Sequence, residues 1–265
     1  MISRSACALP AAALLAFGLP HGSAGAEPDT GLAGSSFIVG LGAGAGFAPT
    51  YEGSKRYEFV PVPALSLSWN DTLVIDNTTA RVTVIRTPWL QAGPLAAWRA
   101  GRQQDDDHRL KGLGDVDDAF DLGGFARIGF GGWSASVAAR QDVIDSGGAL
   151  VDFNTGYDLP LSDAFTLSIG ADATWASDDY MAANFGVTRQ QARRSKYNAF
   201  DAEAGFKNAG LSLGASYALN ERWSLNAVTG YERLLGDAAR SPIVKDGGTA
   251  DQAYGVVSVT YRFGL

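Results

Sequence analysis

The chain has 265 residues, 46% of them hydrophobic, a formal net charge of −7 and one cysteine. An acidic chain is a poor nucleic-acid ligand, because phosphate contacts need clustered Lys and Arg. Beyond residue 26 no apolar run reaches the roughly 20 residues of a spanning helix, which leaves a soluble domain or a barrel that crosses a membrane with strands.

Met1 to Ala26 carries one cation, Arg4, then an apolar run from Ala6 to Leu19 and the small residues Ala24-Gly25-Ala26. This is the pattern of a secretory signal, with cleavage expected after Ala26 and a single barrel over 27–265. Cys7 lies inside the signal, so the mature chain holds no cysteine and has no disulfide or thiol chemistry. Removing one basic and no acidic residue leaves a mature charge of 20 minus 28, or −8.

The rest alternates with a period of two, which points successive side chains to opposite faces of a strand. Phe37, Val39, Leu41, Ala43, Ala45 and Phe47 form one apolar row, against Gly40, Gly42, Gly44 and Gly46. Phe59, Pro61, Pro63, Leu65, Leu67 and Trp69 form the next. Proline removes a ladder donor, so Pro61 and Pro63 predict a bulge or a gap in pairing. Similar rows run from Leu90 to Trp98, Phe120 to Ile128, Trp133 to Ala139, Val151 to Leu159 and Phe165 to Trp175. Asp121, Arg127, Arg140, Asp152, Asp158 and Asp172 fall on the opposite parity. A lipid-facing Arg or Lys at mid-bilayer costs about 2–4 kcal/mol, so this sorting is expected of an outer-membrane barrel with a polar lumen.

Phe200, Ala202, Ala204 and Phe206 are even, whereas Leu211 to Leu219 are odd. The switch near Asn208-Ala209-Gly210 predicts a bulge or a tight turn, with Glu203 and Lys207 facing inward. With both termini periplasmic, the polar segments 48–56, 102–116, 177–196 and 236–250 are all external if 197–219 is one bulged strand. The segment 72–87 is then a short hairpin at Asn77-Thr78. The expectation is an all-β antiparallel transmembrane barrel of twelve strands, with ten as the alternative. The last strand places Val257, Val259, Tyr261 and Phe263 in one row, which resembles the C-terminal signal read by the barrel-assembly machinery, although Gly264 and Leu265 follow.

Little in the chain suggests chemistry. The one mature histidine, His108, sits in Asp105-Asp106-Asp107-His108-Arg109 with no nucleophile motif near any serine. The acidic residues of that loop do not match a calcium-loop spacing. No catalytic residue, cofactor or metal site is assigned. Thr188 and Gln191 have capping-box spacing, which predicts a short helix. Arg189, Arg193, Arg194 and Lys196 form a basic cluster beside it, a candidate contact for lipopolysaccharide phosphates.

The segments between strands resemble those of the MipA/OmpV family of outer-membrane proteins. The resemblance rests on Ala48-Pro49-Thr50-Tyr51-Glu52-Gly53-Ser54, Gly93-Pro94, Gly101-Arg102, Leu110-Lys111-Gly112-Leu113-Gly114-Asp115, Tyr180-Met181, Phe185-Gly186-Val187-Thr188, Ser241-Pro242-Ile243-Val244 and Tyr261-Arg262-Phe263. It implies a non-enzymatic outer-membrane scaffold joining a lytic murein transglycosylase to a bifunctional penicillin-binding protein. Members of the family are also linked to osmotic response, adhesion and antibiotic sensitivity, so a surface adhesin is one rival reading. The inward charges support another, a narrow diffusion pore or uptake channel.

Overall fold

The computed structural model describes residues 36–145 and 147–264. The expected signal sequence, its cleavage site and Leu265 lie outside the described residues. The strands are β1 (Phe37–Pro49), β2 (Tyr57–Trp69), β3 (Leu73–Asp76), β4 (Thr79–Val82), β5 (Ile85–Arg86), β6 (Leu90–Arg99), β7 (Ala119–Phe130), β8 (Trp133–Asp142), β9 (Ala149–Ser162), β10 (Phe165–Ala176), β11 (Gly205–Ala218), β12 (Trp223–Leu234) and β13 (Asp251–Gly264). All neighbours are antiparallel. β1 pairs with both β2 and β13, and β4 pairs with β6, so the sheet closes on itself. β4 and β5 both lie against β6 and share one position in the wall, which makes a barrel of twelve staves rather than ten.

The two faces of the wall differ as the alternation requires. Phe59, Phe130, Ile169, Leu211 and Val257 are exposed on the outside, whereas Asp121, Asp158, Lys207 and Glu232 are buried within. An apolar exterior of this extent belongs in lipid. Short turns close one end. Gly131 and Gly132 have φ of 58° and 86°, the two positive values a two-residue hairpin turn needs to match strand twist. The segments 50–56, 100–118, 143–148, 177–204 and 235–250 join strands at the other end, the external one.

The prolines mark where pairing is missing. β3 pairs only with Ser66–Trp69 of β2. Leu65 closes that ladder: its N–H donates to Asn77 Oδ1 and its carbonyl accepts from the Asn77 N–H. Hydrogen-bonding directions alternate along a strand, so Pro61 and Pro63 aim their ring nitrogens to the same side as Leu65. Above the hairpin tip no strand pairs with β2 there among the described residues. The gap predicted from the prolines is present. Pro94 works similarly on β6, between Ala92, which accepts from Val84, and Trp98, which donates to Thr78. With no donor at Pro94, the facing stave breaks into β4 and β5.

The parity switch near Asn208 is a bulge. Trp175 pairs with Phe206 and Thr174 with Asn208, which leaves Lys207 as the extra residue. Lys207 and Asn208 are therefore both turned inward and buried. One expectation fails. The strand begins at Gly205, not 197, and Glu203 is exposed outside it rather than facing the lumen. The backbone N–H groups of Glu203 and Ala204 donate instead to Asp237 and Asp178 (2.9 and 2.6 Å), which holds 201–204 in the loop.

The closing strand keeps its expected register. Phe263 lies opposite Val39, Tyr261 opposite Leu41, Val259 opposite Ala43 and Val257 opposite Ala45. Tyr261 stacks edge-on to both Trp223 (4.9 Å) and Phe263 (4.6 Å), forming part of the lower aromatic girdle.

Candidate functional site

The external loops fold into a cap. It contains α1 (Asp178–Phe185), α2 (Arg189–Ala192), α3 (Gly236–Arg240), α4 (Pro242–Lys245) and a 3-10 turn at His108–Leu110. Two apolar clusters hold it together. Tyr180, Met181, Phe185, Ala202, Ala238 and Val244 pack against the barrel residues Leu150, Ala176 and Leu234. Tyr51, Leu110, Leu113, Val187, Tyr197 and Ile243 form the second. These loops bury a core of their own, so the cap is a folded layer rather than a set of solvated connections.

The acidic 102–118 loop uses its carboxylates as staples. Asp106 accepts from the Gln103 N–H, Asp115 from Gln104 and Asp118 from Gly101. Asp107 caps the 3-10 turn through the Arg109 N–H and pairs with the Arg109 guanidinium at 3.1 Å. The His108 side chain is 71% exposed, with its Nδ1 3.2 Å from the same Asp107 carboxylate. Burial raises the Tyr51 hydroxyl above its ordinary range, with Tyr197 and Asp107 adding to the effect. Burial lowers the Arg102 guanidinium, whose Nη1 donates to the Asn184 carbonyl at 3.0 Å.

Beneath the cap runs a belt of inward charges. Asp121 accepts from Arg99 through both carboxylate oxygens (3.1 and 3.3 Å) and lies 3.6 Å from Arg140. Arg140 in turn pairs with Asp152 at 3.0 Å, and Asp152 accepts from the Thr174 hydroxyl. Next to it, across the β9–β10 pairing, the bulge delivers Lys207 to Glu52, with Asp172 and Glu232 nearby. Tyr180 of α1 joins the two halves. Its hydroxyl donates to Glu52 at 3.1 Å, and the Arg99 guanidinium sits 5.0 Å over its ring. Burial, with Glu52 adding to it, pushes the Tyr180 phenol up to about 12.

Of the charges assigned to the lumen from parity, Asp121, Arg140 and Asp152 meet in one chain of contacts, whereas Lys207 pairs with Glu52 and Asp172 bonds to Asn208 beside it. Arg127 and Asp158 lie lower in the barrel, near Arg81, with Asp158 accepting from Ser168 at 2.6 Å. Arg99, Glu52 and Glu232 were missed. Arg99 alternates with Trp98 and Glu232 with Tyr231, so parity would have found both. Glu52 lies in a loop and carries no such signal. Arg189, Arg193, Arg194 and Lys196 are exposed on the external loop, beside a complete capping box between Thr188 and Gln191.

A closed barrel with an apolar exterior, a polar lumen and long loops at one end is an outer-membrane β-barrel. Residues 41–263 match the family described as MltA-interacting protein MipA, and the chain belongs to that family. Outer membrane protein OmpV of Vibrio cholerae is 29% identical and Omp26La of Vibrio anguillarum 28%, each over 168 residues. Each match covers 60% of this chain and 60% of the relative's own length. Among solved structures, the translocator domain of the autotransporter NalP from Neisseria meningitidis covers 88% of this chain and 91% of its own, with a TM-score of 0.45 and 11% identity. The KdgM porin covers 85% and 99%, with a TM-score of 0.43 and 9% identity.

Proposed function

We propose that this barrel is a non-enzymatic assembly point in the outer membrane, linking a murein hydrolase and a murein synthase during cell-wall remodelling. The observation that carries this reading is the folded cap. It lies across the external mouth and is tied to the lumen belt through Tyr180, Glu52 and Lys207. A packed apolar core across the entrance narrows the path for free diffusion, which leaves the periplasmic turns as the surface offered to partners. The family name points to a lytic transglycosylase as one partner. A penicillin-binding protein as the other follows from the family resemblance. Both would dock at the periplasmic end, on turns such as Gly131-Gly132 and Asn220-Glu221-Arg222.

Crosslinking in intact cells should recover wall enzymes. Recovery of surface ligands alone would reject the reading. The second reading, a narrow pore, draws on the small residues of β1, where Gly42 and Gly44 face inward. Single-channel recording on refolded protein separates the two. The scaffold expects no steady conductance. A steady conductance of the parent protein would establish the pore instead.

A further inference from the structure

The barrel wall is incomplete on one side. Above the β3–β4 hairpin tip, β2 runs from Ala64 to Tyr57 with a partner only on its β1 side among the described residues. At the tip, β2 and β6 stand three strand spacings apart, about 14 Å. From Pro63 to Tyr57 the free edge is about 20 Å long. Val60 and Val62 of β2, packed on Ala48 and Val256, and Leu95 of β6 are buried on the inner side of the strands that flank the notch. It is an apolar recess in the lipid-facing surface, with Phe59 85% exposed at its rim.

An unpaired strand edge normally invites another strand. Here the two positions that would offer N–H donors below the aromatic girdle of Phe47, Tyr57 and Phe59 are Pro61 and Pro63. A second copy or a partner strand therefore finds carbonyl acceptors but no donors at these two positions. A hydrocarbon chain needs no donor and packs on the two proline rings. Directly above the recess, Lys55 and Arg56 are exposed at the start of β2. Arg56 lies 4.0 Å from Asp107, which Arg109 and Thr50 also engage, and Glu58 is its other acidic neighbour. We propose that the notch seats lipopolysaccharide, with an acyl chain along the proline edge of β2 and a lipid phosphate on Lys55 and Arg56.

The test uses full-length protein extracted from outer membranes into detergent, which strips loosely held lipid. A photo-reactive benzoylphenylalanine replaces Pro63 in one variant and Leu211, on the fully paired β11, in another. The expected result is a lipopolysaccharide adduct at position 63 and none at 211. Lys55→Ser with Arg56→Ser should lower that adduct about tenfold, as loss of charge-assisted phosphate contacts implies. Equal adducts at both positions, no adduct at 63, or a protein adduct at 63 would each overturn the proposal. If the variant at 63 fails to fold, native mass spectrometry of the parent protein against the Lys55→Ser, Arg56→Ser pair decides. Bound lipopolysaccharide that drops with the substitutions supports the seat, and its absence or indifference rejects it.

Discussion

Asp121→Asn should destabilise this barrel more than any exposed charge change. Asp121 is 1% exposed and holds two guanidinium groups, Arg99 by a forked pair and Arg140 at 3.6 Å. Breaking a buried pair by removing one partner costs about 3–5 kcal/mol, because the remaining charge is stranded. Asn keeps one acceptor, and Arg140 keeps Asp152, so the expected loss is at the low end, about 3 kcal/mol. That is more than a hundredfold in the folding equilibrium. Urea titration in lipid vesicles, read by the gel shift between folded and unfolded barrels, measures it. Arg99 also stacks on Tyr180, so the same variant should loosen the cap and raise protease sensitivity in the 177–204 segment. Replacing Asp121, Arg99, Arg140 and Asp152 together by apolar residues of similar volume should recover much of the loss. A single variant within 0.5 kcal/mol of the parent would refute the view that the belt is a tightly coupled, water-poor network.

Pro63→Ala should lower stability by about 2 kcal/mol, since it places an orphan N–H in hydrocarbon; unchanged or higher stability in the same titration would mean the edge is wet or paired. Phe263→Lys should block insertion and leave the chain in the periplasm, whereas deleting Gly264 and Leu265 should be mild. Equal damage in a membrane-fraction assay would mark Leu265 as the true end of the signal. Asp237, outside the wall, accepts from the Glu203 N–H and from Arg240, and both hold its carboxyl below the usual range. A depressed carboxylate stabilises above its unfolded value, about 3.9, and that contribution is lost as pH falls through the lower folded value. Proteolysis of the 235–250 segment should therefore rise below about pH 4, and Asp237→Asn should remove that step; an identical step in the variant would assign it elsewhere.

The barrel was legible because a period of two sorts charge from apolar surface in every long strand. Even the short hairpin at Asn77-Thr78 followed from counting which end each loop must occupy. The prolines of β2 told more than any motif, since a residue without an N–H is confined to a bulge or to an unpaired side of a strand. The error at Glu203 has an equally plain cause. Phe200 and Ala202 alternate like a lipid-facing row, but they pack into the cap, and periodicity cannot say which apolar phase a side chain enters. Glu52 and Tyr180 were beyond reach for another reason. Their meeting depends on two loops 128 residues apart folding back over one mouth, and no local spacing records that.

The seam between β1 and β13 sets an order of events. Val39 and Phe263, which pair across it, are 224 residues apart in the chain. No earlier pairing can substitute for it, because β1 otherwise pairs only with β2 and β13 only with β12. The first strand is thus delivered early and waits, its outer edge open, until the final residues emerge. Contacts this distant form slowly, and a waiting glycine-rich edge is open to wrong partners throughout. Joining the two ends of the chain is thus the step that removes the last full-length open edge of the wall.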